Sequence, residues 1–469
     1  MAFAKTLALS LGDIYSLRDE ESKGRLISLG SAVMTAVYNV FITGIFYTGF
    51  LSMYGISITG VGIVTFIPYI ANCFSIFSPA ILDRFKKKKG ILLASKIYFY
   101  AMYIIATTLM PQFVSDPDDR LTWFIILLFL AYAVYALFCP GLTTWFYRFY
   151  PQDSGQRTRY IVLNQTFSSI LSSSVLLLSG ILIDAVEGSP LQNQLILAFR
   201  YFAFVLVLID VLMQAFAKEY PTPKAEKIRL LDVFTLPFRY KKFLLCMILM
   251  FVWNYISNLN NGLWNYHLLN HLHFSYTIIN TISMLYTIIL LLTSNLWQRI
   301  LRRFSWIKTF GIAVLLFVPT EFAMFSLTPS DQALYVATAL FQQILNVGLN
   351  FSYANILYMN LPEENSTAHV SFNTIGCNLF AFLGMITGTW VSSLSGDQLV
   401  PFFGMEVYTV QHTTLLRAIG LFVLGMILIF FWKQFTPAHE INEVEKQAAL
   451  VNGNGSSKRK SYSNQKRTA

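Results

Sequence analysis

The stretch VWNYISNLNNGLWNYHLLN, Val252 to Asn270, places six asparagines in and after the apolar run FLLCMILMFVWNYI. An amide taken out of water must find hydrogen bonds or bear the cost of lacking them. At 100° per residue, Asn254, Asn258, Asn261 and Asn265 fall within one arc of about 60°, over roughly 16 Å of rise, while Asn260 and Asn270 point elsewhere. Trp253, Trp264 and Tyr266 set rings beside them. A second set repeats the pattern: Gln342, Asn346 and Asn350 step by four, and Tyr353 returns to the same side. Asn373 and Asn378 add two more amides. Nearer the N-terminus, Thr35 and Asn39 share one face, Tyr132 and Tyr135 lie in one segment, and Gln165, Ser169 and Ser172 share another face. Amides, hydroxyls and rings donate, accept and stack without fixing a charge. They suit a small neutral polar organic solute, sugar-like above all. The competing reading is helix-to-helix hydrogen bonding, to which any single Asn is equally suited.

Groups that could do harder chemistry are few. Asp184, Asp210 and Glu321 lie in apolar surroundings and are expected at interfaces or helix ends. Glu321, in VPTEFAMF, has little polar company in sequence and is the candidate to carry a coupling proton. His267, His271 and His273 cluster in HLLNHLHF, with an i, i+4 spacing that could hold a metal. No acid or cysteine lies beside them in sequence, so surface histidines of an external loop are expected, and no metal. HExxH, GxSxG and paired intramembrane carboxylates are absent from the sequence, which gives an enzyme no support and calls for no cofactor. The four cysteines, Cys73, Cys139, Cys246 and Cys377, fall in apolar segments without a CxxC pair and read as packed free thiols.

The elements that must position these residues follow from composition. Of 469 residues, 55% are hydrophobic and 12% charged, against about 25% charged for a soluble domain. Mean hydropathy is +0.54. The fold class is therefore all-α integral membrane. Spanning segments are expected near 26–53, 58–82, 91–111, 121–147, 158–184, 195–217, 243–267, 275–298, 307–327, 332–359, 368–395 and 414–434, twelve transmembrane helices in all. The organisation is a cytoplasmic N-terminal segment (1–25) lying near the membrane, a first six-helix bundle (26–217), a central cytoplasmic loop (218–242), a second six-helix bundle (243–435) and a disordered basic tail (436–469). With both termini cytoplasmic, 31 of the 34 Lys and Arg face inward, and only Arg120, Arg200 and Arg417 face outward. The net charge of +10 is spread over short loops and the tail, so nucleic acid is not a partner.

An internal repeat runs through the chain. SPAILDRFKKKKGIL (Ser78 to Leu92) aligns with WQRILRRFSWIKTFG (Trp297 to Gly311), each after the second span of a half. YRFYPQDSGQRTRY (Tyr147 to Tyr160) aligns with YMNLPEENSTAHVS (Tyr358 to Ser371), each between a fourth and a fifth span.

Here the chain resembles the major facilitator superfamily. Between spans two and three that family carries roughly G-x-L-x-D-R-x-G-R-R, and this sequence reads Pro79-Ala80-Ile81-Leu82-Asp83-Arg84-Phe85-Lys86-Lys87-Lys88. The Asp-Arg core and the following cations match, while both glycines are replaced. The second-half copy has Arg302 where an acid is usual. The resemblance implies two bundles that rock around a central site lined by the first and fourth helix of each half. It implies that Asp83, with Arg84, is a conformational latch. Ninth helices of the family face lipid or the bundle exterior, which counts against Glu321. The fourth span lacks the Arg-x-x-x-Gly of many proton-coupled members, and the fifth lacks the Gly-Pro-rich antiporter signature.

The leading function is a secondary-type transporter of a small neutral polar solute by alternating access, a monomer in the plasma membrane with no partner but solute and lipid. The alternatives are an exporter of amphipathic, drug-like compounds and a non-transporting membrane sensor.

Overall fold

A computed structural model of the chain describes Tyr15 and residues 19–82, 84–85, 87–151, 154–219, 230–362, 366–436 and 441. Asp83 of the expected latch, residues 220–229 of the central loop and nearly all of the tail lie outside the described residues. Arg84 is exposed in the turn after Leu82.

The first expected span starts earlier than its apolar run. Helix α1 (Glu20–Ile42) is capped by Asp19, whose carboxylate accepts from the Ser22 N–H, and Glu20 and Glu21 complement the positive end of the helix. That same N–H holds the Asp19 carboxyl below its ordinary range. Residues 20–25 thus belong to the spanning helix. Thr43 is extended and Gly44 has φ of 59°, which kinks the chain into α2 (Gly44–Met53). There follow α3 (Ile58–Asn72), α4 (Lys89–Tyr100), α5 (Pro117–Tyr147), α6 (Ser154–Asp184) and α7 (Pro190–Ala215). A π-helical turn at Ala101–Ala106 extends α4.

The second half holds α8 (Lys241–Ser257), the short α9 (Leu263–Tyr266), α10 (Tyr276–Phe304), α11 (Trp306–Phe325), α12 (Gln332–Met359), α13 (Ser366–Ser393) and α14 (Thr409–Phe435). Between α13 and α14 the strands β1 (Leu399–Phe402) and β2 (Met405–Tyr408) form an antiparallel hairpin pairing Leu399 with Tyr408, which the sequence reading missed. The repeat has a structural counterpart. Gly141 of α5 lies against Leu82 and Leu92, and Gly348 of α12 lies against the Trp297 ring, at matching places in the two halves.

Ten helices among the described residues are long and apolar enough to cross a membrane. The two expected spans outside that set are the amide-rich ones: the seventh, which is broken, and the tenth, the 28-residue α12.

Packing joins the halves through α13 on α3 and α10 on α6. The largest core cluster runs from Tyr38, Phe50 and Phe124 of the first half to Leu268, Phe274 and Tyr276 of the second. It occupies the end of the bundle away from the termini. At the termini end, one cluster (Ile27, Leu82, Leu142, Phe149) belongs to the first half and another (Phe243, Phe310, Ile356, Leu428) to the second. The halves are thus sealed together at one end of the bundle.

Candidate solute-binding site

The expected single stripe along span seven does not exist as one helix. α8 ends at Ser257, residues 258–262 turn, and Gly262 adopts φ of 78° before α9 begins. Asn260-Asn261-Gly262 is a turn sequence, and the Gly262 conformation is one other residues adopt only under strain. A Cβ on Gly262 would also stand 2.7 Å from the Thr65 side chain of α3. A 100° rotation per residue therefore stops applying after Ser257, and the amides are brought together by the break instead.

Asn254 donates to the Met250 carbonyl (2.8 Å) and to Tyr353 Oη (2.6 Å), tying α8 to α12. Asn258 donates to the Asn254 carbonyl (2.8 Å), and its Oδ1 accepts from Asn261 Nδ2 (3.0 Å) and Tyr69 Oη (3.3 Å). Tyr69, on α3, comes from the other half and was not foreseen. Asn260, set aside from the stripe in the sequence reading, is buried and its Oδ1 accepts from Arg417 (3.4 Å).

Two cavities adjoin the break. One, of about 260 Å³, is lined by Asn258, Asn260, Asn261, Trp264, Asn265, Gln342, Thr414, Glu321 and Arg417. The other, of about 390 Å³, lies between the halves against Asn39, Thr43, Ser172, Asn265, Asn280 and Ser283. Asn265 lines both. Small-molecule sites run from about 300 to 1,000 Å³, so the pair has the right scale.

The remaining candidates divide. Gln342 donates to Thr320 Oγ1 (3.0 Å) and Glu321 Oε1 (3.3 Å) at the first cavity. Asn350 donates to Tyr286 Oη (2.8 Å) and Asn346 to Gln343 (3.4 Å), contacts among α10 and α12 themselves. Tyr132 and Tyr135 pack on Phe99, with ring centroids 5.0 and 4.3 Å away. Gln165 is exposed and reaches only Ser169, on its own helix (3.3 Å).

A family model described as the Major Facilitator Superfamily matches residues 245–466. Solved structures match the fold over nearly the whole chain. The nucleoside transporter NupG is 14% identical with a TM-score of 0.64, over 88% of this chain and 99% of that one. A D-xylose-proton symporter is 10% identical at 0.64, over 89% and 98%. A POT family transporter in complex with 5-aminolevulinic acid is 13% identical at 0.63, over 91% and 100%. A search of curated proteins finds no match. Residues 245–466 thus match the superfamily's model, and the chain as a whole has the fold of these transporters. Ten of its described helices are long and apolar enough to cross a membrane, as expected of that fold.

The interior of the helix bundle holds more charge than the sequence suggested. Arg417, expected to face outward at the start of the last span, lies inside α14, and its Nη1 is 3.3 Å from Glu321 Oε1. Glu321, expected to lack polar company or to face the exterior, is 1% exposed and meets Arg417 and Gln342 from two other helices. Asp210, expected at an interface, is fully buried and pairs with Lys96 at 2.7 Å, with Gln214 and Tyr38 completing its hydrogen bonds. Lys96 was expected to face the cytoplasmic side and is buried in α4. Arg200, likewise expected outside, is fully buried in α7. It donates to Thr107 Oγ1 (2.7 Å), Thr108 Oγ1 (2.8 Å) and the Tyr103 carbonyl (3.0 Å), and its guanidinium lies 3.8 Å from the Phe50 ring centroid. The acceptors lie in and just after the π-helical turn at Ala101–Ala106, and the Tyr103 carbonyl also accepts from Thr107 Oγ1 (2.6 Å). Asp184 is a helix-end carboxylate, as expected. The helix it serves belongs to the other half, since it accepts from the Tyr276 (3.0 Å) and Thr277 (2.7 Å) N–H groups that open α10. His267 and His271, expected on the surface, are buried. Sequence spacing carried no signal for these pairings, because each partner lies on a distant segment.

Proposed function

We propose that this transporter carries a small, neutral, polar organic solute, sugar-like in its hydroxyl content, by alternating access through the cavities around the span-seven break. The observation that carries this reading is the lining of the smaller cavity. Its amides and hydroxyls present donors and acceptors of both kinds, and its two charges, Glu321 and Arg417, face each other. A solute that brings its own net charge would have to compete with that pair, whereas hydroxyls and amides exchange hydrogen bonds with the asparagines at little cost. Trp264 offers a ring for an apolar sugar or base face. The likeness to a nucleoside transporter and to a D-xylose-proton symporter is in keeping with such a solute.

In this reading the chain is a monomer with twelve spans in two bundles, 26–217 and 243–435, and Asn265 is the residue the solute meets from both cavities. Both termini are cytoplasmic at the plasma membrane, on the distribution of Lys and Arg in the loops. Glu321 is the coupling candidate: it is buried, borders the cavity and is within reach of Gln342 and Arg417, so a proton on it would release Arg417.

The test is a thermal-shift screen of purified protein against neutral sugars, nucleosides, amino acids and cationic amphiphiles. Stabilisation by neutral sugars or nucleosides alone is the expected result. Stabilisation by cationic amphiphiles alone would move the protein to the exporter class.

A further inference from the structure

The segment after the break ends in a π-helical turn, His267–His271, in which the two histidines face each other. Their Nδ1 atoms are 3.0 Å apart, so one must donate and the other accept. His271 Nε2 is 2.9 Å from Asp397 Oδ1, on the loop after α13. His267 is fully buried, and its Nε2 has no hydrogen-bond partner. The titratable and charged groups around the pair are Asp397, Tyr266, Tyr408 and His273. Tyr266 Oη is 3.3 Å from Asp397 Oδ2, and the Tyr408 ring of β2 stacks on His271 at 3.8 Å.

These contacts admit one comfortable protonation state. With both rings neutral, His271 carries its hydrogen on Nε2 and donates to Asp397. His271 Nδ1 then accepts from His267 Nδ1–H, and His267 Nε2 is a bare lone pair. Adding one proton leaves two arrangements. Either His267 becomes the cation, or His271 does and the His267 hydrogen moves from Nδ1 to Nε2. Both put a hydrogen on His267 Nε2, where the structure offers no acceptor. A second proton sets N–H against N–H across the 3.0 Å contact. An unsatisfied buried donor is costly, and the segment must open to relieve it.

We propose that His267, His271 and Asp397 form a proton-binding site whose occupancy loosens the Leu263–His271 segment from the hairpin. Asn265 and Trp264 lie in that segment and line the cavities, so the proton acts on a wall of the pathway. The site is separate from Glu321. It does not depend on which solute is carried.

Neutral pH keeps the closed arrangement, and it is lost only as pH falls below the ordinary imidazole range, because burial of His271 disfavours the charged ring. The test is hydrogen exchange of the purified full-length protein between about pH 8 and about pH 4, corrected for intrinsic exchange with an unfolded peptide of the same sequence. Peptides covering 263–274 should exchange about tenfold faster at the acid end, while those from the membrane-spanning middle of α5 stay unchanged. His267→Asn, whose amide reproduces the Nδ1–H donor but cannot titrate, should remove that acid response. Asp397 is half exposed on a loop, so Asp397→Asn keeps the fold even where the histidine variant does not. It removes the carboxylate that favours a charged His271 and should move the response to lower pH. An acid-independent wild type, a His267→Asn protein that still responds, or an Asp397→Asn protein that responds at the wild-type pH would each overturn the proposal.

Discussion

Gly384 and Gly388, in the sequence GMITG of α13, bring that helix onto the backbone of the broken seventh segment. A Cβ on Gly388 would overlap the Leu259 carbonyl oxygen and stand 2.7 Å from its carbon. Ordinary contact begins at 3.4 Å, so the carbon alone demands a retreat of 0.7 Å (3.4 − 2.7), and the nearer oxygen demands more. No side-chain rotation can supply it, because the obstacle is main chain. Overpacking of this kind costs about 1–3 kcal/mol, and the upper end applies where backbone must move. Leu259 lies in the turn that carries Asn258, Asn260 and Asn261, so the displacement is transmitted to the cavity wall. Gly388→Ala is expected to lower the melting temperature of the purified protein by several degrees. It should also raise the solute concentration needed for half-maximal transport. Gly90→Ala is the control: Gly90 is also helical, and nothing lies within 4 Å of its Cβ position. That variant should melt no lower than wild type. If Gly388→Ala melts and transports like wild type, the close approach of α13 to the break is wrong.

Two further substitutions test the charges. Asp184→Ala removes a carboxylate that caps α10 from the opposite half, which should cost about 1–2 kcal/mol of closure at that end. A cysteine placed at Ser52, in a recess at the same end, should then label about tenfold faster in a background lacking the four native cysteines, and an unchanged rate would show that Asp184 does not hold the halves. Glu321→Gln leaves Arg417 without its carboxylate and should destabilise by roughly 1–3 kcal/mol, less than a fully buried pair because Arg417 is partly exposed. Adding Arg417→Gln should restore part of that loss in a melting cycle, whereas simple additivity would mean that the two groups do not interact.

Much of the architecture was legible because it rests on composition and period. Apolar segments of spanning length gave the helices, and the loop following each second span revealed the repeat. The amide-rich seventh and tenth segments were singled out correctly as unusual, and they are the two that ten well-formed apolar helices leave over. The geometry of the seventh was misread because a helical wheel assumes an unbroken helix. Asn260-Asn261-Gly262 was in view, and its turn chemistry outweighed the surrounding hydrophobicity. Lys96, Arg200 and Arg417 fall near the ends of expected spans and were read as facing water on one side or the other, because an isolated charge there has no local partner. Their partners, Asp210, the Tyr103 carbonyl and Glu321, lie on other helices and become visible only once the chain is packed. The histidine pair was misjudged for the same reason, since Asp397 lies 126 residues from His271. The Gly384–Gly388 spacing is a helix-contact signal that the sequence did contain.

The most direct test of the pathway is counterflow in proteoliposomes holding wild type or Asn265→Leu, with radiolabelled neutral sugars and nucleosides beside charged amino acids. Asn265 lines both cavities, and leucine keeps its approximate size while removing every hydrogen bond it can make. The account predicts counterflow of a neutral solute by the wild type, a loss of at least about tenfold in Asn265→Leu, and insertion and melting close to wild type. Wild-type counterflow in Asn265→Leu, or flux confined to the charged solutes, would contradict it.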